Sequence, residues 1–186
     1  MPDALHFTGD PDADALIATE PLALLIGFAL DQQVTVQTAF SGPLKLKQRL
    51  GTLDAATIAH TDPDRLLEVF RQRPAIHRFP GSMARRVQEL CGFVADEYDG
   101  DAARLWTDAA DAADLRKRIG DLPGFGAMKI VALGSVLAKR FAVTAAQEIV
   151  PAHPTIGDVD SPAALEDYQA KKRAHKAAMR ARAEPS

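Results

Sequence analysis

The sequence predicts an all-α fold, and three observations support that prediction. Alanine, the best helix former, is abundant, whereas aromatic residues make up only 6% of the 186 residues. Most segments between prolines and glycines carry apolar residues at the spacing of one helix face, and no two neighbouring segments form a convincing strand pair. Because 47% of the residues are hydrophobic, the chain can bury one sizeable core, and we expect a single domain over residues 1–186.

Helix start and stop signals divide the first fifty residues. A short acidic helix is expected after Asp10-Pro11, and a buried helix begins at Pro21, since proline favours the first helical position. A third helix is expected to stop near the Ser-Gly-Pro sequence at residues 41–43. A further short helix then ends at Gly51, because glycine is the residue type that most often closes a helix.

Two longer helices are expected next. Asp62 is the predicted N-cap of the first, with Pro63 at its first helical position. Ser82 is the predicted cap of the second, whose apolar face includes Cys91 and Val94. Two short helices with aspartates near their N-termini, as the helix dipole favours, complete the middle of the chain.

A break in the most hydrophobic region carries the strongest functional signal. Residues 121–132 read DLPGFGAMKIVA, which predicts a helical hairpin over about 115–140 with a tight turn at Gly124 and Gly126. Glycines let a ligand approach the backbone closely, and a helix N-terminus attracts anions. Lys129 is placed to add a charge to the same contact, so the turn is predicted to hold a phosphate. The alternative is an ordinary turn between helices.

The last part of the chain is expected to contain two further helices. Thr144 and Gln147 have the spacing of a capping box. The segment that begins at residue 151 is expected to form an extended loop, and Ser161 to cap a final amphipathic helix over about 161–183.

Charge is distributed unevenly. The net charge is only −3, yet residues 1–44 contain no lysine or arginine, and residues 171–182 contain six lysines and arginines and no acid. The basic segment is interpreted either as a local nucleic-acid surface or as a solvated helix end.

Several classes of protein are disfavoured by composition. Cys91 is the single cysteine, which excludes an intrachain disulfide and a four-cysteine iron–sulfur cluster. We expect Cys91 in the core, and His60, His77 and His153 have no metal-ligand spacing, so no metal site formed by side chains is expected. No secretory signal is visible, and the apolar run at residues 21–30 is too short to span a bilayer. A cytoplasmic protein without membrane contact is therefore the expectation.

Two segments resemble one protein family, in the order that the family requires. The sequence LPGFGAMKIVAL, which starts at Leu122, resembles the helix-hairpin-helix signature of the base-excision DNA glycosylases, the HhH-GPD superfamily. The sequence LIGFALDQQVTVQTA, residues 25–39, resembles the I-L-x-Q-Q-V-S-V stretch of that family, most closely in its 3-methyladenine (alkylpurine) branch. The resemblance covers roughly residues 20–150.

The resemblance implies a two-lobed helical fold that binds duplex DNA with little sequence preference. The hairpin would hold the DNA backbone, commonly with a bound monovalent cation, and the Gln32-Gln33 segment would lie near the gap left by a flipped base. The implied DNA-binding residues are Leu122, Pro123, Gly124, Phe125, Gly126, Lys129, Gln32 and Gln33. For the two glutamines the alternative is capping of the preceding helix. We expect a monomer with no iron–sulfur cluster and no other cofactor.

The resemblance also limits the chemistry. Members with lyase activity carry a lysine two residues after the last hairpin glycine, as a Schiff-base nucleophile. Here that position is Met128, and Lys129 comes one residue later. One residue rotates a helical side chain by about 100°, so the nucleophile is not carried over to Lys129. The implied enzyme is monofunctional: water displaces the base and no strand nick follows.

The acid of the family is missing as well. Nearly all members carry an aspartate, within V-D-T-H, at the start of the helix after the hairpin, where it stabilises the cationic sugar and orients water. Thr144 occupies that position here. Three acids are candidate replacements: Glu148, on the same helix face as Thr144, then Asp160, then Asp158. The alternatives are that Glu148 is a surface residue and that Asp160 is a loop residue beside the Ser161 cap.

Three hypotheses for function follow. The first is a DNA glycosylase that removes a damaged base, such as an alkylated purine. The second is a non-catalytic protein that binds duplex or lesion-containing DNA through the hairpin and has lost the acid. The third is a helical adaptor for protein partners, in which the hairpin arises by chance.

Overall fold

The computed structural model describes residues 1–184, and over that range all regular secondary structure is helical, with no β-strand. The prediction of an all-α fold is confirmed. The α-helices are α1 (Pro11–Thr19), α2 (Pro21–Leu30), α3 (Val36–Leu50), α4 (Ala55–Ala59), α5 (Pro63–Arg71), α6 (Pro80–Tyr98), α7 (Arg104–Thr107), α8 (Ala112–Asp121), α9 (Ala127–Arg140) and α10 (Pro162–Ala183). Two 3₁₀ helices, Thr144–Ile149 and Ile156–Asp158, lie between α9 and α10.

Most of the predicted helix boundaries are correct, because short polar side chains satisfy free backbone amides there. The carboxylate of Asp10 accepts from the N–H of Asp12 at 2.9 Å, and Asp62 caps α5 in the same way. Ser161 Oγ accepts from the N–H of Ala164 at 3.1 Å. At the other end of a helix, Gly51 closes α3 with a φ of +87°, a conformation that glycine adopts without strain.

The predicted stop at residues 41–43 is wrong, because α3 runs through it without interruption. Pro43 lies inside the helix, and both it and Gly42 are buried. A Cβ on Gly42 would lie 2.4 Å from Leu30 Cδ1, so the glycine allows α3 to pack closely on the end of α2. Burial of this face outweighs the weak helix propensity of glycine and proline.

Two predicted caps are also wrong. Helix α6 begins at Pro80, so Ser82 lies inside its first turn and caps nothing. Thr144 begins a 3₁₀ helix and makes no capping hydrogen bond. Gln147 instead donates from Nε2 to the carbonyl of Ala138 at 3.1 Å, because the last carbonyls of α9 lack partners within their own helix.

The helices pack in two groups. The first contains α1–α6: α2 packs on α3, α1 and α6, and α6 also carries α4 and α5. The second contains α7–α10 and both 3₁₀ helices, with α9 at its centre. Cys91 lies in the core as predicted, and burial raises the pKa of its thiol to about 12.

Helix α2 is the centre of the first group. Its residues from Leu22 to Leu30 are all buried, and Gly27 leaves room for the ring of Phe40.

Within residues 1–184 no single helix combines the length and apolar character needed to cross a membrane. Helices α1 and α2 meet that test only as a pair bent by 113°.

Helix α10 differs from the prediction of an amphipathic helix. Ser161 caps it as expected, but Leu165 is its one buried residue and residues 170–183 are all exposed. Its first turns pack on the second 3₁₀ helix, the side chains of Gln169 and Gln37 of α3 exchange hydrogen bonds at 2.8 and 3.2 Å, and residues 170–183 are exposed to solvent. The basic segment is therefore an exposed helix that extends from the second group.

Candidate nucleic-acid interface

The turn between α8 and α9 is held by its own apolar side chains. The N–H of Phe125 donates to the carbonyl of Leu122 at 3.1 Å, and both side chains are buried. Pro123 and Gly124 occupy the two central positions, and Gly124 has a φ of +80°, as the third residue of a type II turn requires. The backbone at Gly124 and Gly126 is left exposed, so the turn presents its glycines to solvent.

The two glycines of the turn have different roles. A Cβ on Gly124 would lie 3.0 Å from Arg86 Nε, and its positive φ disfavours other residues. Gly126 is the N-cap of α9 in an extended conformation that any residue adopts, so the predicted bend is at Gly124 alone. A Cβ on Gly126 would meet nothing within 4 Å. Neither the fold nor the packing requires glycine there, which leaves open space for a ligand beside the first amides of α9.

Lys129 extends from α9 toward α2. Its Nζ lies 3.4 Å from the carbonyl of Ala29 and 5.4 Å from the centroid of the Phe125 ring. Burial lowers the pKa of this amine, the charge of Arg86 adds to the effect, and the charge of Asp31 opposes it. The ammonium therefore lies between the two helix groups, at the base of the turn.

Arg86 joins the Gln32-Gln33 segment to the turn. Its guanidinium donates to Oε1 of Gln32 and lies directly against Gly124. Gln32 and Gln33 are exposed, and Gln33 has a positive φ of 57°. The side chain of Gln32 is thus bound to an arginine of α6 and does not cap α2. Two segments nearly a hundred residues apart in the chain, about 25–39 and 121–132, meet at this arginine.

The buried side chain of His77 contacts the backbone of the same segment. Its Nε2 lies 3.1 Å from the carbonyl of Leu30 and 3.0 Å from that of Gln32, and its Nδ1 accepts from the N–H of Phe79 at 3.0 Å. Because a backbone N–H can only donate, the ring proton is on Nε2. Burial lowers the pKa of His77, although the two carbonyls oppose that shift. The neutral imidazole anchors the backbone of the glutamine segment.

Asp31 lies where the two helix groups meet. It ends α2, and its charge is within reach of Lys129 on α9 and of Lys172 and Tyr168 on α10. Burial raises the pKa of Asp31, and the charges of Lys172 and Lys129 partly offset the rise. Lys172 Nζ lies 5.8 Å from the centroid of the Tyr168 ring. A half-buried carboxylate between two lysines is therefore the immediate neighbour of Gln32.

A match to a family model identifies the family of the chain. The model describes an HhH-GPD superfamily base excision DNA repair protein, and the match covers residues 26–184. The chain belongs to the HhH-GPD superfamily. Membership implies DNA binding and a role in base excision repair. No match was found among curated proteins or among solved structures.

The candidate acid Glu148 lies at the opposite end of α8 from the HhH-GPD turn. It is exposed and lines a surface pocket of about 330 Å³ together with Thr144 and Asp111. The ten residues of α8 separate this pocket from the turn, a distance of roughly 15 Å at about 1.5 Å per residue.

The other two candidate acids are also placed outside the turn. Asp158 pairs with Lys139, in the last turn of α9, at 2.5 Å and accepts from the N–H of Thr155 at 2.7 Å. Burial raises the pKa of Asp158, but these partners outweigh burial and lower it overall. Asp160 is exposed directly before the Ser161 cap. The structure brings none of the three acids to the HhH-GPD turn and brings Asp31, Gln32 and Lys129 together instead.

The position of the family's lyase lysine is fully accessible. Met128 is 86% exposed on the first turn of α9, whereas Lys129 faces the interior between the helix groups. Among residues 1–184, no group of three or more His, Cys, Asp or Glu side chains is arranged to hold a metal ion.

Sequence reasoning missed three residues of this interface: Asp31, His77 and Arg86. A signal for Asp31 is present in the sequence, because this residue directly precedes the two glutamines of the family motif. His77 and Arg86 carry no such signal, because their partners lie 45 and 54 residues away in the chain.

Proposed function

We propose that this protein is a monofunctional DNA glycosylase that removes a damaged base from duplex DNA. In the reaction a water oxygen bonds to C1′ of the sugar, the C1′–N bond breaks, and its electron pair leaves with the base. A proton from the water neutralises the departing base or passes to solvent. The products are a free base and an abasic site in an unbroken strand.

The single observation that carries the proposal is the contact of Arg86 with both Gln32 and Gly124. A phosphate held on the open backbone at Gly126 would place the next nucleotides beside the exposed glutamines. A polar side chain at that point can occupy the space of an extruded base and bond to the base left behind. The glutamine segment and the phosphate site thus form one surface.

The structure supports hydrolysis over lyase chemistry. A Schiff base needs a neutral amine that reaches C1′ of the extruded sugar. The accessible position on α9 is occupied by Met128, and the amine of Lys129 is directed to the carbonyl of Ala29. Water is therefore the proposed nucleophile.

The proposed substrate class is a purine alkylated on a ring nitrogen. Such a base is already cationic and leaves without protonation by the protein. A site with Thr144 in place of the family's aspartate has no charge at that position to stabilise a sugar cation. It is best matched to a substrate whose leaving group is already activated.

The basic helix α10 supplies the proposed long-range attraction to DNA. The exposed residues 170–183 carry several lysines and arginines on a protein whose net charge is −3. A local cluster of cations attracts the phosphate backbone regardless of the overall charge.

We further propose that the protein acts as a monomer and that it functions in the cytoplasm.

We also propose that the turn binds a monovalent cation through its exposed carbonyls. The exposed backbone at Gly124 offers the uncharged oxygen ligands that such a cation takes. Exchange of potassium for tetramethylammonium is expected to weaken binding to duplex DNA if the cation bridges the turn and a phosphate.

A second candidate function is duplex or lesion recognition without catalysis. It is favoured by Thr144 at the family's acid position and by the distance of Glu148 from the turn. This protein would bind DNA in a salt-sensitive manner and release no base.

Incubation with damaged duplexes distinguishes the two functions. Duplexes that carry a methylated, a deaminated or an oxidised base are treated with the protein and then with alkali, which cleaves at abasic sites. Alkali-dependent cleavage of the methylated duplex, and no cleavage before alkali, is the expected result. Folded protein that binds each duplex and releases no base from any of them contradicts the glycosylase and supports the second function.

A further inference from the structure

Asp31 combines three properties that no other candidate acid of this protein shares. It directly precedes Gln32 in the chain, it is half-buried at the meeting point of α2, α9 and α10, and it lies within reach of two lysine charges. Glu148 and Asp160 are exposed, and Asp158 is held by Lys139.

The carboxylate of Asp31 forms no ion pair with a described residue. Within residues 1–184 the seven ion pairs closer than 4.0 Å all involve other carboxylates. Lys129 is directed to Ala29 and Lys172 lies over Tyr168, so both keep their charges near Asp31 without closing on it. The oxygens of Asp31 are therefore available to a water molecule or to a sugar.

We propose that Asp31 is the catalytic carboxylate of this glycosylase, in place of the aspartate that the chain lacks at residue 144. The assignment rests on the proposed glycosylase function. As the C1′–N bond breaks, the negative charge of Asp31 stabilises the cationic sugar. Asp31 then accepts one proton from the attacking water, whose oxygen bonds to C1′, and the proton is later released to solvent.

The surroundings of Asp31 suit this role. Partial burial strengthens the attraction between the carboxylate and a cationic sugar, since the local dielectric is lower than in water. Burial alone would also favour the protonated acid, and the charges of Lys129 and Lys172 counter that tendency. The two lysines thus hold the pKa of the carboxyl below the level that burial alone would give, without occupying its oxygens.

The first test compares Asp31→Asn with Glu148→Gln and Asp160→Asn in single-turnover base release from the methylated duplex. Asp31→Asn is expected to slow release by about 10²-fold or more, the usual contribution of a positioned acid or base. It is expected to bind the same duplex at least as tightly as the wild type, because a negative charge near phosphate is removed. Glu148→Gln and Asp160→Asn are expected to release base at the wild-type rate. Release by Asp31→Asn at the wild-type rate overturns the assignment and leaves the glycosylase function standing.

A second variant tests Asp31 without altering it. Lys172 is exposed, so Lys172→Met is expected to fold, and loss of its charge raises the pKa of Asp31. The acidic limb of the pH profile for base release should then move to higher pH. Lys176→Met removes the same charge one turn further along α10 and is expected to leave the midpoint of that limb in place.

The outcomes separate the two proposals. If the acidic limb of the pH profile for base release has the same midpoint in Lys172→Met as in the wild type, the role of Asp31 is overturned, even if Asp31→Asn does not fold. Failure of the folded wild type to release any base overturns the glycosylase function and the assignment together.

Discussion

The imidazole of His77 holds the backbone of Gln32 in place, with Nε2 3.0 Å from its carbonyl oxygen. The ring lies before α6, in a different part of the first helix group from the residue it supports. Because the other ring nitrogen accepts from Phe79, the imidazole works only in its neutral form. A protonated ring would direct an N–H at the N–H of Phe79.

Replacement of His77 is expected to destabilise the fold and weaken DNA binding. In His77→Phe the buried carbonyl of Leu30 and the part-buried carbonyl of Gln32 lose their donor, which costs about 1–3 kcal/mol. The released glutamine segment is expected to bind duplex DNA less tightly. Urea unfolding and a DNA titration measure the two effects. Equal stability of the variant and the wild type would contradict the anchoring role.

The same histidine predicts a pH dependence of stability. The pKa of His77 is lowered by burial, so the unfolded chain takes up a proton at a pH where the folded chain does not. The free energy of unfolding should therefore fall as the pH decreases below about 6.5, the ordinary histidine value. Urea unfolding at several pH values measures this loss. It should be smaller in His77→Phe and unchanged in His175→Gln, which removes an exposed imidazole from α10.

The two glycines of the turn are expected to separate stability from binding. Gly126→Val should cost at most about 1 kcal/mol of stability, since its Cβ enters open space and valine is only a poorer N-cap than glycine, but it should block the approach of a phosphate and sharply weaken DNA binding. Gly124→Ala should lose about 1–2 kcal/mol of stability, the cost of a left-handed backbone for a residue with a Cβ. Thermal unfolding and a DNA titration on both variants check the prediction. Wild-type DNA affinity in folded Gly126→Val would show that no phosphate binds there.

Neutralisation of α10 is expected to reduce the salt dependence of DNA binding. Replacement of Arg173, Lys176 and Arg180 by glutamine should lower the slope of log K against log salt by about 0.9 for each lost phosphate contact. Fluorescence anisotropy at several salt concentrations measures the slope. A triple variant of Arg65, Arg71 and Arg73, three exposed cations on and after α5, is the matched control. Equal slopes in the two triple variants would show that α10 does not contact DNA.

A lysine at residue 128 is expected to give the protein lyase chemistry. Met128 is exposed on the first turn of α9, so the amine of Met128→Lys would be accessible to the sugar of an abasic site. The variant should form a Schiff base that borohydride traps as a covalent protein–DNA complex. Wild type and Lys129→Met should give no such complex. Trapping by wild type that Lys129→Met abolishes would instead identify Lys129 as a nucleophile.

The Leu-Pro-Gly-Phe-Gly sequence predicts a tight interhelical turn because proline, glycine and two buried apolar side chains act within five residues. Such local effects are visible in a sequence. The difference between Gly124 and Gly126 is not local, since it depends on the position of Arg86 in another helix.

The errors have a common cause. Local propensity predicts a helix stop at the Ser-Gly-Pro sequence, residues 41–43, and a capping box at Thr144 and Gln147. In the structure, α3 continues through residues 41–43 because Gly42 packs closely on Leu30. Gln147 donates to the carbonyl of Ala138, at the end of α9, instead of forming a capping box with Thr144. Tertiary contacts outweigh preferences of a few tenths of a kcal/mol.

The all-α fold, most helix boundaries, the turn and the family can be predicted from the sequence, because these depend on periodicity, capping and short motifs. Which side chains meet at the interface depends on the tertiary structure. It joined Gln32 to Gly124 through Arg86, anchored the glutamines on His77, and placed Asp31 between the lysines of α9 and α10 while Glu148 lay at the far end of α8. Burial and electrostatic environment arise from residues distant in the chain, so the position of a carboxylate in a motif does not reveal its surroundings.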